Sequence, residues 1–186
     1  MDYAAKFAAG LSYTDFLEKY GKDDQKARWK QVHDLVQLTG TQRELLGRFT
    51  RKMKVLCLAG AWCGDCVQQC PIFDHFAAAC GKIDLRFVDR DADAELTGAI
   101  KICGGARVPT VIFISEDDHF CGLYGDRTIA KYRSVIEQMS GASCPTGIIA
   151  PEAPLLAAVV QDWLDEFERI QWMLRTSGRL RQLHGD

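Results

Sequence analysis

Two cysteines three residues apart stand in the run Trp62-Cys63-Gly64-Asp65-Cys66. This spacing suits thiol–disulfide exchange. A thiolate at Cys63 attacks a disulfide, and Cys66, close enough to bond to it, resolves the mixed disulfide. The chemistry requires a group that favours thiolate over thiol, and the free amides at a helix N-terminus supply one. The same spacing also serves half a zinc site, which needs two further ligands. There is no second C-x-x-C, but Cys70 and His75 complete a set of four with Cys63 and Cys66. A metal-binding or metallochaperone module using Cys63, Cys66 and Cys70 is therefore the alternative reading.

The flanking sequence places the pair between a strand and a helix. Val55 to Ala59 is a continuous apolar run, as in a strand buried on both faces. Val67 to Cys80 reads as a helix interrupted by Pro71. Strands are expected at Leu85–Val88, Thr110–Ile114 and Phe120–Tyr124, the last antiparallel to its predecessor. Helices are expected at Ala94–Ile102 and Arg127–Met139. The order β-α-β-α-β-β-α implies an α/β fold, a central mixed sheet with helices on both faces.

Before Lys54 the chain reads as helical. Ser12–Tyr20 and Asp24–Leu38 carry apolar residues at helical spacing, and Thr41 with Glu44 has the form of a capping box. Cys144 to Pro154 holds three prolines and reads as a linker. Glu152 to Arg175 is an amphipathic helix. The aromatic residues Tyr13, Phe16, Trp29, Trp163 and Trp172 are too many to leave exposed. The basic tail Arg175, Arg179, Arg181 reads as a solvated helix end.

Composition narrows the classes. The 186 residues are 47% hydrophobic, enough for a packed core. Basic and acidic side chains number 23 and 25, a balance without a general pull toward nucleic acid or an anionic membrane. No apolar run is long enough to span a bilayer, and the first residues lack the pattern of a secretory signal. A cytoplasmic location is the expectation. There, eight cysteines are better read as redox thiols, metal ligands or packing residues than as a static disulfide framework.

Arg107-Val108-Pro109-Thr110 places a proline directly before the third strand, which marks a special turn. Together with Trp62-Cys63-Gly64-Asp65-Cys66 and Pro71, it makes residues 50 to 140 resemble the thioredoxin family in motif and spacing. The resemblance implies a thioredoxin fold and a disulfide reductase or isomerase that needs no bound cofactor. It makes Cys63 the nucleophile and Cys66 the resolving thiol. Trp62 becomes a platform that substrates touch, and a cis Pro109 packs on the cysteines while the Val108 backbone pairs with substrate. It also implies partners: a disulfide-bearing protein or small molecule as substrate, and a reductase or small thiol as electron donor.

Two departures bear on the protons. The family's Gly-Pro between the cysteines is Gly64-Asp65 here, and a carboxylate beside the thiols should raise their pKa. Where the family has a buried aspartate in the central strand, this chain has Cys57. Asp65 or solvent is then expected to deprotonate Cys66. Cys57 and Cys70 read as small buried packing residues, with Cys70 also placed to bond to Cys66. Cys103 lies in a glycine-rich loop near Pro109.

The expected organisation is an N-terminal helical extension over 1–50, a thioredoxin-like domain over 51–142, and a linker and C-terminal helix over 143–186 packed on the core. A monomer is favoured.

Overall fold

The computed structural model describes residues 1–139 and 152–186. Four strands, β1 (Met53–Ala59), β2 (Ile83–Asp89), β3 (Thr110–Ser115) and β4 (Phe120–Gly125), form one sheet in the order β2-β1-β3-β4. β1 runs parallel to β2 and antiparallel to β3, and β3 is antiparallel to β4. Val55 to Ala59 are fully buried, which is why β1 carries an unbroken apolar run and takes the centre.

Strand alternation sends Val55, Cys57 and Ala59 to one face and Leu56 and Leu58 to the other. The first face carries α5 (Gly64–Ala79) at its centre. On the β2 side, α2 (Tyr13–Tyr20) and α3 (Asp23–Leu35) pack through Phe16 and Trp29, with Phe16 against Phe87 at 5.4 Å between ring centres. On the β3 side lies α8 (Ala153–Thr176), whose Phe167 meets Phe113 edge-on at 5.2 Å. α1 (Tyr3–Ala9) packs on the opposite face, next to Leu56 and Arg86, and Lys6 pairs with Asp93 and Glu95 at the start of α6 (Ala94–Ala99). Leu11 bridges to Phe87 on the outer edge of β2, so the N-terminal segment wraps that edge.

α8 is bound into the core by more than its apolar stripe. Its buried Gln171 accepts from the amides of Thr50 and Arg51 at 3.1 and 2.8 Å and donates to the Arg51 carbonyl. Trp163, also fully buried, lies 4.5 Å edge-on to Phe73 of α5. α4 (Gly40–Gly47) adds a side-chain bond from Gln42 to Gln161 of α8. α7 (Ile129–Met139) packs on α8, and α9 (Gly178–His184) follows it. Among the described residues no helix is long and apolar enough to cross a membrane.

Several expectations change. α5 runs through Pro71 without a break. An interior proline costs about 3 kcal/mol, but Ile72, Phe73 and Phe76 just beyond it are fully buried, each contributing roughly 1.5–3 kcal/mol. Packing therefore outweighs the missing hydrogen bond. α3 stops at Leu35, because Val36 and Leu38 bury themselves from an extended stretch. The capping box of α4 is made by Thr39 and Gln42, two residues ahead of Thr41 and Glu44. Two overlapping runs of the same pattern compete there. Trp172 is exposed, its indole donating to Glu168 on its own helix. In the basic tail Arg175 and Arg179 are ion-paired, with Asp186 and Asp117. The proposed linker lies outside the described residues up to position 151.

Candidate active site

β1 ends at Ala59, and the chain turns through Gly60-Ala61-Trp62 into α5. Cys63 is the N-cap of that helix, with its amide donating to the Gly60 carbonyl at 3.0 Å. The Trp62 ring folds back over Gly60 so closely that a side chain there would strike it, at 2.8 Å. Trp62 remains nearly half exposed and carries the Arg90 guanidinium 4.4 Å above its ring. The turn is also held from below. Trp29, buried on α3, donates its indole N–H to the Ala61 carbonyl at 2.9 Å.

The opposite wall comes from β3. Thr110 pairs with Leu58, which brings Val108 and Pro109 alongside the start of α5. The Val108–Pro109 bond is cis. Cys63 Sγ lies 3.5 Å from the Val108 carbonyl oxygen and is half-buried, while Cys66 is fully buried beneath it. Cys66 Sγ accepts from the Gly60 amide at 3.4 Å. Two surface depressions, about 550 and 440 Å³, lie away from the cysteines, beside the ends of β1 and β2 and between α2 and α3.

The two thiols share a proton. Hydrogen bonding to Cys66 and burial hold the Cys63 proton tightly, well above the ordinary thiol range. Burial pushes Cys66 up, but hydrogen bonds from Cys63, Cys70 and the Gly60 amide outweigh it and lower its pKa. The pair thus loses its first proton early and its second late. Asp65 raises both thiols, in the direction read from the sequence. Its Oδ2 is occupied by Arg127, at 2.9 Å from Nε and 2.7 Å from Nη2.

Arg127 is a site residue that the sequence did not single out, and so is Asp126. Asp126 is buried and accepts from Arg107 Nη1 at 3.2 Å and from the Tyr132 hydroxyl. Burial raises its carboxyl, but these donors bring it below the usual carboxylate range. Its carbonyl takes the Gln69 amide at 3.0 Å, and Gln69 in turn accepts from Trp163. Arg107 therefore ties the proline loop to the corner between β4 and α7. A short-range motif gives no sign of such a network, because its members lie far apart in sequence.

Gly125 closes this corner. Its φ is +151°, and a Cβ on it would lie 2.5 Å from the Pro109 carbonyl oxygen. Gly125→Ala should therefore cost about 1–3 kcal/mol. Chemical denaturation checks this, and an unchanged midpoint would mean that the loop yields freely.

Behind Cys66 the helix continues to Cys70, one turn on. Cys57 on β1 faces it, with the two sulfurs 3.9 Å apart. Burial pushes the Cys57 thiol up. Cys103 is exposed in a turn at φ +51°. His75, offered as a fourth metal ligand, lies against the tilted His33 ring at 4.2 Å between ring centres and bonds to the His33 carbonyl at 2.9 Å. Among the described residues, no three histidine, cysteine or acidic side chains converge as a metal site.

Comparison with known proteins agrees with this frame. A crystal structure of a protein of unknown function from Pseudomonas aeruginosa superposes with a TM-score of 0.71 at 17% identity, covering 91% of this chain and 96% of that one. A crystal structure of an HIV epitope-scaffold gives 0.68 at 18%, covering 91% and 97%. At such identities the likeness concerns the fold alone. No curated protein matches the chain. A family model described as thioredoxin matches residues 10–139, and so takes in α2 to α4 as well as the sheet. The chain belongs to the thioredoxin family.

Proposed function

We propose that the protein reduces disulfides through Cys63 and Cys66. The observation that supports this most is the asymmetry of the pair. Cys63 is the less buried of the two, at a helix N-terminus, and Cys66 is fully buried one turn on. In the proposed cycle the shared proton passes to Cys66, and the Cys63 thiolate then attacks a substrate disulfide, forming one S–S bond and releasing one substrate thiolate. Cys66 then attacks Cys63, releasing the second. The substrate leaves as a dithiol and the enzyme holds Cys63–Cys66 as a disulfide. A dithiol protein or small thiol restores the pair by the reverse exchange. In this reading the Val108 backbone pairs with an extended substrate and Trp62 is a platform that it touches. A reducing compartment such as the cytoplasm fits this direction.

In this reading Asp65 acts on the thiols by charge, with Arg127 holding its Oδ2. Asp65→Asn removes a negative charge that raises both thiols. The pH profile of Cys63 alkylation should then shift to lower pH. The opposite shift, or lost resolution of the mixed disulfide at every pH, would make Asp65 the proton acceptor after all.

The activity is tested by insulin reduction with dithiothreitol as donor. Catalysed precipitation of the insulin B chain is expected. A rate equal to that of dithiothreitol alone would overturn the proposal.

A further inference from the structure

The active-site pair is the outer half of a row of four sulfurs. Cys63 is partly exposed, Cys66 is buried, and Cys70 lies one turn further along α5, on the same helix face as Cys66. Cys57 reaches Cys70 from the centre of β1, 3.9 Å from sulfur to sulfur. Cys57, Cys66 and Cys70 have no exposed surface. Packing alone explains one buried cysteine, but it does not explain a continuous path of thiols from the reactive sulfur to the sheet.

We propose that Cys57 and Cys70 form a second, buried dithiol that takes the disulfide over from Cys63–Cys66, so that one reduced chain delivers two electron pairs. The inference rests on the disulfide-reducing role of Cys63 and Cys66. In the first step Cys70 attacks Cys66. The Cys63–Cys66 bond breaks, Cys66–Cys70 forms, and the Cys70 proton passes to Cys63. In the second, Cys57 attacks Cys70. Cys66–Cys70 breaks, Cys57–Cys70 forms, and the Cys57 proton passes to Cys66. One disulfide moves inward and two thiols move outward, with no outside oxidant or reductant. The reopened Cys63–Cys66 dithiol then reduces a second substrate.

The geometry favours this direction of travel. Residues four apart on a helix hold their Cβ atoms about 5–6 Å apart, whereas a relaxed disulfide wants about 3.8 Å. Cys66–Cys70 is therefore a strained intermediate that passes its bond on. Cys57, from another element, meets Cys70 side chain to side chain and needs only a small closure. A disulfide is uncharged and suits this apolar interior, where burial disfavours a thiolate. The same burial makes the inward steps slower than attack on substrate.

The full chain, fully reduced and freed of small thiols, is mixed without air with excess insulin, a disulfide too large to enter the core. After an acid quench and alkylation, insulin thiols are counted and peptic peptides are sequenced for their links. Two insulin disulfides opened per chain, the second more slowly, with a Cys57–Cys70 link, is the expected result. Cys70→Ala should lower the yield from two to one, and Cys66→Ser should show no Cys57–Cys70 link. One disulfide opened per wild-type chain, with Cys63–Cys66 linked and Cys57 and Cys70 alkylated, overturns the relay but leaves the reductase standing. A Cys57–Cys70 link in Cys66→Ser equal to wild type also overturns the route. No opening at all removes both.

Discussion

Cys63→Ser should abolish catalysed insulin reduction, a loss of roughly a hundredfold or more, since no other described thiol combines exposure with a helix N-terminus beside a resolving partner. A hydroxyl at this position stays protonated near neutral pH, so the helix amides have no anion to stabilise. Cys66 cannot substitute, because it is fully buried under Cys63. The substitution leaves the fold intact, as serine is close to cysteine in size and the position is half-buried. Thermal midpoints of the two proteins should agree, which separates loss of chemistry from loss of structure. A variant that keeps more than a tenth of the activity would move the nucleophile elsewhere, with the exposed Cys103 the first place to look.

Trp163→Ala should give the largest loss of stability, about 3–5 kcal/mol. The indole is fully buried, meets Phe73 at 4.5 Å and Tyr124 at 5.0 Å, both edge-on, and donates to Gln69 at 2.9 Å. Removing it opens a cavity between α5, α8 and β4 and leaves a buried amide oxygen short of a donor. For a chain of this length the loss lowers the thermal midpoint by roughly 6–20 °C. The effect should reach the active site as well, because Gln69 also holds the Asp126 carbonyl beside Arg107 and the proline loop. A midpoint lowered by less than about 3 °C would show that α8 is not part of the core.

The strands and the central motif were legible because their signals are local. Val55 to Ala59 is apolar at every position since β1 is buried on both faces. Cys63-Gly64-Asp65-Cys66 and Pro109 were found from spacing. α1 escaped notice because Phe7 is its only buried residue, too little for a periodic pattern. Pro71 misled because the penalty of a helical proline is read locally, while the packing that offsets it comes from other elements. The partners of the site were hidden for the same reason. Arg127 reaches Asp65 across 62 residues, and Trp29 reaches Ala61 across 32. Cys57 read as packing because its distance from Cys70 is set by the docking of α5 on β1.

As a reductase, the protein should hold Cys63 and Cys66 as a reversible couple poised to donate electrons. A redox titration of that pair, followed by alkylation and mass, tests it most directly. A potential near about −270 mV, as for thioredoxin, is the predicted result. A value near about −120 mV, where the pair would oxidise its partners, would contradict it.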